Sequence, residues 1–148
     1  MSSTILKLIP TDPDFVPNEQ NQIKAKAFLK NVFKHSDIEF NTTENVEFVD
    51  PGANFETVNC NLCGHTIDIQ AWQNAMDKAY NTKFKVLTFI TPCCQKTTSL
   101  NDLKYHWAAG FAKFEISILD PSSEIKTDDL TELNKILTTK INVIWAHY

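Results

Sequence analysis

Arginine is absent from this 148-residue chain: all fourteen basic residues are lysine. Arginine supplies the flat, two-pronged donor that grips phosphates and guanine edges, and lysine replaces it poorly. The formal charge is −4, so the chain also lacks the positive excess on which nucleic-acid affinity rests. Nucleic acid is therefore an unfavoured partner. No apolar run approaches the roughly 18 residues that a membrane span needs. The opening stretch, MSSTILKLIPTDPDF, has no charged region followed by a long apolar one, as a secretion signal would. These absences point to a cytoplasmic chain with no membrane partner. Repeats, low-complexity tracts and linkers are missing as well, so residues 1–148 are expected to form a single domain. With 43% apolar residues that domain has the material for a core and needs no disulfides to fold.

Cysteine is scarce but patterned. The four cysteines fall in two pairs, in CNLCGH (Cys60 to His65) and in TPCCQKTTSLND (Thr91 to Asp102). In a reducing compartment such clusters point to metal or redox chemistry. Cys60 and Cys63, two residues apart and followed by Gly64, have the spacing of a metal knuckle. A tight turn lets both sulfurs face one ion, and glycine supplies the backbone freedom that turn needs. Cys93 and Cys94 follow a β-like run and Pro92. The expected ligand set is Cys60, Cys63, Cys93 and Cys94 around Zn2+. Two alternatives stay open. Adjacent cysteines reach one ion only if the peptide between them turns sharply; otherwise three cysteines act with His65, or failing that His106. Without metal, Cys93 and Cys94 would be redox-active thiols or a strained vicinal disulfide. Four thiolates would close the site and leave no open position for water, so such an ion would be structural rather than catalytic.

The periodicities predict three helices set between short strands. TILKLIP reads as a strand. From Asn18, Ala25, Phe28, Leu29, Val32 and Phe33 form one helical face. DIEFN and NVEFVD read as two short strands, and NFETVNC as a strand into the first cysteine pair. Trp72, Met76, Ala79 and Tyr80 mark a second helix. KFKVLTFIT, apolar on both faces, is expected to be a central strand. In FAKFEISIL the residues Phe114, Ile116 and Ile118 alternate with polar ones, as in a strand with one wet face. TDDLTELNKILTT reads as a third helix capped by Thr127 or Asp128, and INVIWAHY as a closing strand. The fold class is α+β: a mixed or antiparallel sheet with about three helices packed on it and a zinc-ribbon-like knuckle pair.

Other chemistry is thin, and no catalytic residue is assigned. Ser99 and Asp102 have capping-box spacing, which would place Asp102 and His106 on one helix face. Asp102, Tyr105, His106 and Trp107 form a candidate binding surface. In an enzyme reading, a pocket near Ser99–Asp102 would use Asp102 or His106 as acid or base.

Taken together, CNLCG, TPCC, TSLNDL, WAAGFAKF and WAHY make the chain resemble an uncharacterised bacterial family of small zinc-ribbon-like proteins. That family's pattern is CPxCG, TPCCG, TSLNDL, AGF and a terminal WAHY, and the resemblance runs from about Asp12 onward. It implies a zinc-ribbon-like insertion in an α+β domain. By position, Cys60, Cys63, Cys93 and Cys94 match the metal pattern, and Ser99, Asn101 and Asp102 match the TSLND turn. The chain departs from the pattern at Asn61, Gln95 and Ala108, where Pro, Gly and Pro are expected. The loss of glycine at 95 bears on how tightly the second knuckle turns. The expected role is non-enzymatic binding of another protein, as an adaptor or an immunity-type protein. The competing roles are the enzyme just described and a thiol redox protein using Cys93 and Cys94.

Overall fold

The computed structural model describes residues 3–148; Met1 and Ser2 of the opening stretch lie outside them. Strand β1 (Thr4–Pro10) leads to helix α1 (Glu19–Val32), whose cap Asn18 accepts from the amide of Asn21. A long strand β2 (Ile38–Val49) follows, and much later another, β7 (Gly110–Leu119). Helix α3 (Thr127–Leu137) and strand β8 (Ile141–His147) complete the frame. The four strands form an antiparallel sheet in the order β2-β7-β1-β8. The α+β class expected from the sequence is the class observed.

Alternation explains the main core. Leu6 and Leu8 of β1 pair with Ile118 and Ile116 of β7, so all four side chains share one face. Ala25 and Leu29 of α1 and Leu133 and Leu137 of α3 cover that face, with Phe114 completing a fully buried layer. Burying such a Leu or Ile stabilises the fold by about 1.5–3 kcal/mol each. The opposite face carries Lys7, Ile9 and Ile144, where Ile9 and Ile144 pack with Val49 and Ala112 in a small separate cluster.

DIEFN and NVEFVD are one strand, not two. Both halves pair with β7, and the register slips between Thr42, opposite Phe114, and Glu47, opposite Ala112. Such an irregularity lets a long strand bend. Beyond it the chain crosses to the far side of the sheet. Gly52 bridges His147 of β8, with the Ala53 amide donating to the His147 carbonyl at 2.7 Å. A Cβ on Gly52 would lie 2.4 Å from that carbonyl oxygen, and the residue has φ +62°, so only glycine fits. Lys7 is nearly buried here. Its Nζ donates to the Tyr148 hydroxyl at 2.6 Å and to the Asp50 carbonyl at 3.0 Å, and that hydroxyl donates to the Asp50 carboxylate. Burial opposes each charge, but the Tyr148 hydrogen bond and the Asp50 carboxylate raise the Lys7 pKa, while the Lys7 ammonium and the Gly52 amide lower that of Asp50.

Residues 50–109, between β2 and β7, build a second lobe. It contains β3 (Val58–Asn59), helix α2 (Ile69–Asn81), β4 (Thr88–Ile90), β5 (Thr97–Ser99) and β6 (Lys104–Tyr105). Its strands pair only as β3-β6 and β4-β5. Its core joins Val58, Cys60, Ile67, Trp72, Phe89, Leu100 and Leu103 to Val46 and Phe111 of the frame. KFKVLTFIT is therefore not a central strand. Lys83 and Phe84 take left-handed conformations, only residues 88–90 are extended, and Val86 and Ile90 face solvent. Its two-sided apolar pattern arises because Leu87 and Phe89 serve the small lobe. The cap of α3 is Lys126, with no side-chain cap bond, rather than Thr127 or Asp128.

Asn101 joins the two bodies. Its amide donates to the Thr11 carbonyl at 3.2 Å, and its carbonyl oxygen accepts the Phe111 amide at 3.1 Å. Asn101→Ala is expected to cost about 1–3 kcal/mol, because it leaves a half-buried amide without a partner; urea unfolding measures it. The lowered Asp50 pKa stabilises the fold above the ordinary carboxyl value of 3.8 and ceases to do so as pH falls through the folded value. The raised Lys7 pKa stabilises below 10.5 and ceases to do so in alkali. Wild-type stability, followed by urea titration from pH 6 to 3, should therefore fall more steeply than that of Asp50→Asn.

Candidate metal centre

The two knuckles have the same backbone. In the first, the Gly64 amide donates to the Cys60 carbonyl at 2.9 Å, and the Cys60 amide to the His65 carbonyl at 2.8 Å. In the second, the Gln95 amide donates to the Thr91 carbonyl at 2.8 Å, and the Thr91 amide to the Lys96 carbonyl at 3.0 Å. Residues 60–65 thus correspond one for one to residues 91–96. Gly64 and Gln95 occupy the equivalent left-handed position, at φ +82° and +56°. The second turn closes as tightly as the first despite lacking glycine, and Gln95 bears a strain of about 1 kcal/mol or more for it.

This correspondence explains the adjacent cysteines. Cys94 falls where Cys63 falls, at the end of its turn. The place of Cys60 is taken by Thr91, and Cys93 reaches the cluster from one position earlier than Cys94. The peptide between the two cysteines lies in the turn, so their sulfurs take different partners. Cys93 Sγ is 3.3 Å from Cys63 Sγ, and Cys94 Sγ is 3.9 Å from Cys60 Sγ. All four sulfurs lie within 4.8 Å of one another and could hold a metal ion. A tetrahedral four-thiolate site with bonds of about 2.3 Å sets its sulfurs about 3.8 Å apart. The observed separations straddle that value and are far from the ~2.05 Å of a disulfide.

Thr91 is the residue that spacing alone did not reveal. It is fully buried, and its hydroxyl lies 3.0 Å from Cys94 Sγ while accepting the Lys96 amide at 3.3 Å. The single proton of that hydroxyl faces two acceptors, the Lys96 carbonyl at 3.2 Å and, when Cys94 is a thiolate, its sulfur at 3.0 Å. Reading TPCCQK over CNLCGH would have found it. Asn61, where proline was expected, accepts a hydrogen bond from the Thr98 hydroxyl at 3.0 Å and so ties the first knuckle to β5.

Electrostatics separate the first two sulfurs. Burial disfavours a Cys60 thiolate, but the amides of Cys63 and Leu62 point at the sulfur and bring its pKa down to about 6. At Cys63 the His65 amide favours the thiolate; neighbouring Cys93 and burial outweigh it and push the pKa up to about 12. A bound cation would favour ionisation of the whole set, since thiolates are the ligating form.

Of the other candidates, His65 sits at the rim, its Nδ1 3.4 Å from Cys63 Sγ. His106 is elsewhere: its Nε2 faces Glu56 at 3.4 Å, both side chains exposed. Ser99–Asp102 is not a capping box, because no helix follows. The Ser99 hydroxyl accepts the Asn101 amide at 3.2 Å in a turn, and Asp102 and His106 do not share a helix face. Tyr105 is turned inward. Its hydroxyl donates to the Leu100 carbonyl at 2.7 Å and accepts from Trp72 Nε1, and burial raises its pKa. Trp107 is exposed, with φ +65°. Compared with protein families, curated proteins and solved structures, the chain matches none of them.

Thr91→Val should weaken metal retention about 10–100-fold, as loss of a hydrogen bond to a ligand commonly does. Thr91→Ser should behave as wild type. Competition with a chromophoric chelator distinguishes them.

Proposed function

We propose that this is a small zinc-binding protein in which the ion is structural and the role is to bind another protein without catalysing a reaction. The convergence of four sulfurs on a space the size of one ion carries this reading. Soft sulfur donors in a tetrahedral set favour zinc among common cellular ions. Four thiolates saturate it, so it would offer no open position for water and act as a poor Lewis acid. The short hairpins around it explain what the ion would do. Strands of two or three residues are not stable alone, and the ion would staple their turns together.

Partner binding draws support from the surface of the second lobe. Val86 and Ile90 are 54% and 65% exposed. They flank a groove of about 580 Å³ beside Ala71, Ala75 and Ala79 of α2. Adjacent apolar side chains left in solvent on one small lobe suit a protein contact. An adaptor or an immunity-type protein acting in the bacterial cytoplasm is the role we favour.

Protein purified without added metal should contain one zinc per chain by elemental analysis, and chelation or unfolding should greatly speed the reaction of its four thiols with a thiol-titrating reagent. Zinc-free protein with four reactive thiols would refute the reading. If the groove is the contact, Val86→Asp with Ile90→Asp should abolish capture of a stoichiometric partner while zinc content stays unchanged.

A further inference from the structure

We propose that the two outward sulfurs, Cys63 and Cys93, are a peroxide-sensitive modification site: a hydroperoxide oxidises them to a disulfide, and the metal leaves. The inference rests on the four-thiolate reading above. Its basis is an asymmetry in the cluster. Cys60 is fully buried and Cys94 half-buried, whereas Cys63 and Cys93 are both exposed. The Leu62 amide lies 3.3 Å from Cys60 and the Thr91 hydroxyl 3.0 Å from Cys94; of the outer pair, Cys63 has the His65 amide and Nδ1 beside it, which leaves Cys93 the less covered sulfur. Hydrogen bonds to a thiolate withdraw the electron density that makes it a nucleophile. The outer sulfurs are 3.3 Å apart, the shorter of the two cross-knuckle contacts. Closing that gap to a disulfide bond of ~2.05 Å takes a movement of only about 1.2 Å. Redox partnership therefore runs across the clasp, from Cys93 to Cys63, and not between the neighbours Cys93 and Cys94.

The step balances. One outer thiolate attacks a peroxide oxygen; the O–O bond breaks, a sulfenic acid forms, and hydroxide leaves (alkoxide, from an organic hydroperoxide). The second outer thiolate attacks the sulfenic sulfur, the S–S bond forms, and a second hydroxide leaves. Two protons from solvent neutralise the leaving groups. The two sulfurs have lost two electrons and the peroxide has gained them. Cys60 and Cys94 remain as two ligands, too few to retain the ion. The frame is spared, because its main cluster contains none of these residues. The effect is confined to the second lobe, whose core includes Cys60. A dithiol reductant with added zinc reverses it.

The test uses the whole chain as purified, with metal content measured first. Hydrogen peroxide is added in increments up to a few equivalents. Released metal is read with a chromophoric chelator. The remaining thiols are then alkylated under denaturing conditions and the peptides mapped by mass spectrometry. The expected result is metal release in proportion to peroxide, a Cys63–Cys93 bridge, and alkylated Cys60 and Cys94. A Cys93–Cys94 or Cys60–Cys94 bridge, a sulfinic acid with no bridge, or metal retained after several equivalents would overturn the proposal. Protein that arrives without metal refutes the four-thiolate reading separately. Its bridge map still decides the pairing, and anything other than Cys63–Cys93 overturns it.

Discussion

Two backbone turns govern the second lobe. Each is closed twice, by an amide donating back across four residues and by another reaching five residues ahead. These bonds aim two sulfurs from each turn at one small volume. Little else in the lobe could do so. Its strands are two or three residues long and pair only in twos. Hairpins of that size have too few cross-strand contacts to hold their ends in register. Convergence of the sulfurs therefore depends on turn geometry and on the aromatic packing behind it. Trp72 stacks on Phe55 at 5.0 Å and meets Phe48 edge-on at 5.9 Å. A metal held by the four sulfurs would convert two locally ordered turns into one rigid body.

The frame is built differently, and its core contains none of the four cysteines. Its long strands and two helices bury a continuous aliphatic layer. The bodies meet through a few definite contacts. Phe111 of β7 belongs to the aromatic core of the second lobe, and Asn101 of that lobe bonds back to Thr11 and Phe111. Gly110 is closely packed at this joint: a Cβ there would lie 2.8 Å from the end of the Ile9 side chain. The TSLND and AGF segments form part of the joint between the two packed bodies.

What the sequence made legible followed from periodicity. α1, α3 and β7 each bury mainly one face, and β1 and β8 are short apolar runs buried on both, so the spacing of apolar residues located them. The long β2 was read as two strands because the polar stretch Asn41–Asn45 interrupts its pattern at the bulge. KFKVLTFIT failed for a physical reason. A strand apolar on both faces is central only where both faces are covered, and here one side is open to solvent. The Ser99–Asp102 spacing misled because a serine hydroxyl caps a turn as readily as a helix. The sulfur cluster was legible from spacing, but Thr91 was not, because a threonine before Pro92 carries no metal signature of its own. Its role appears only when the two turns are superposed.

That superposition shows which features of a knuckle are fixed by physics and which are free. The left-handed residue after the last sulfur is needed, since its amide must turn back to close the loop. Glycine reaches that conformation without strain, while Gln95 reaches it at a cost that the rest of the turn offsets. The first position must be buried and must place a polar atom near the cluster. Cys60 does so with one of the four clustered sulfurs, and Thr91 with a hydroxyl that lies 3.0 Å from Cys94 Sγ instead. Exchanging sulfur for oxygen there removes one sulfur from the cluster, and Cys93 restores the count of four from inside the turn. A ligand so placed cannot be buried as Cys60 is, because the interior of the turn faces outward. The departure from a symmetric pair of knuckles and the exposure of Cys93 are therefore one fact.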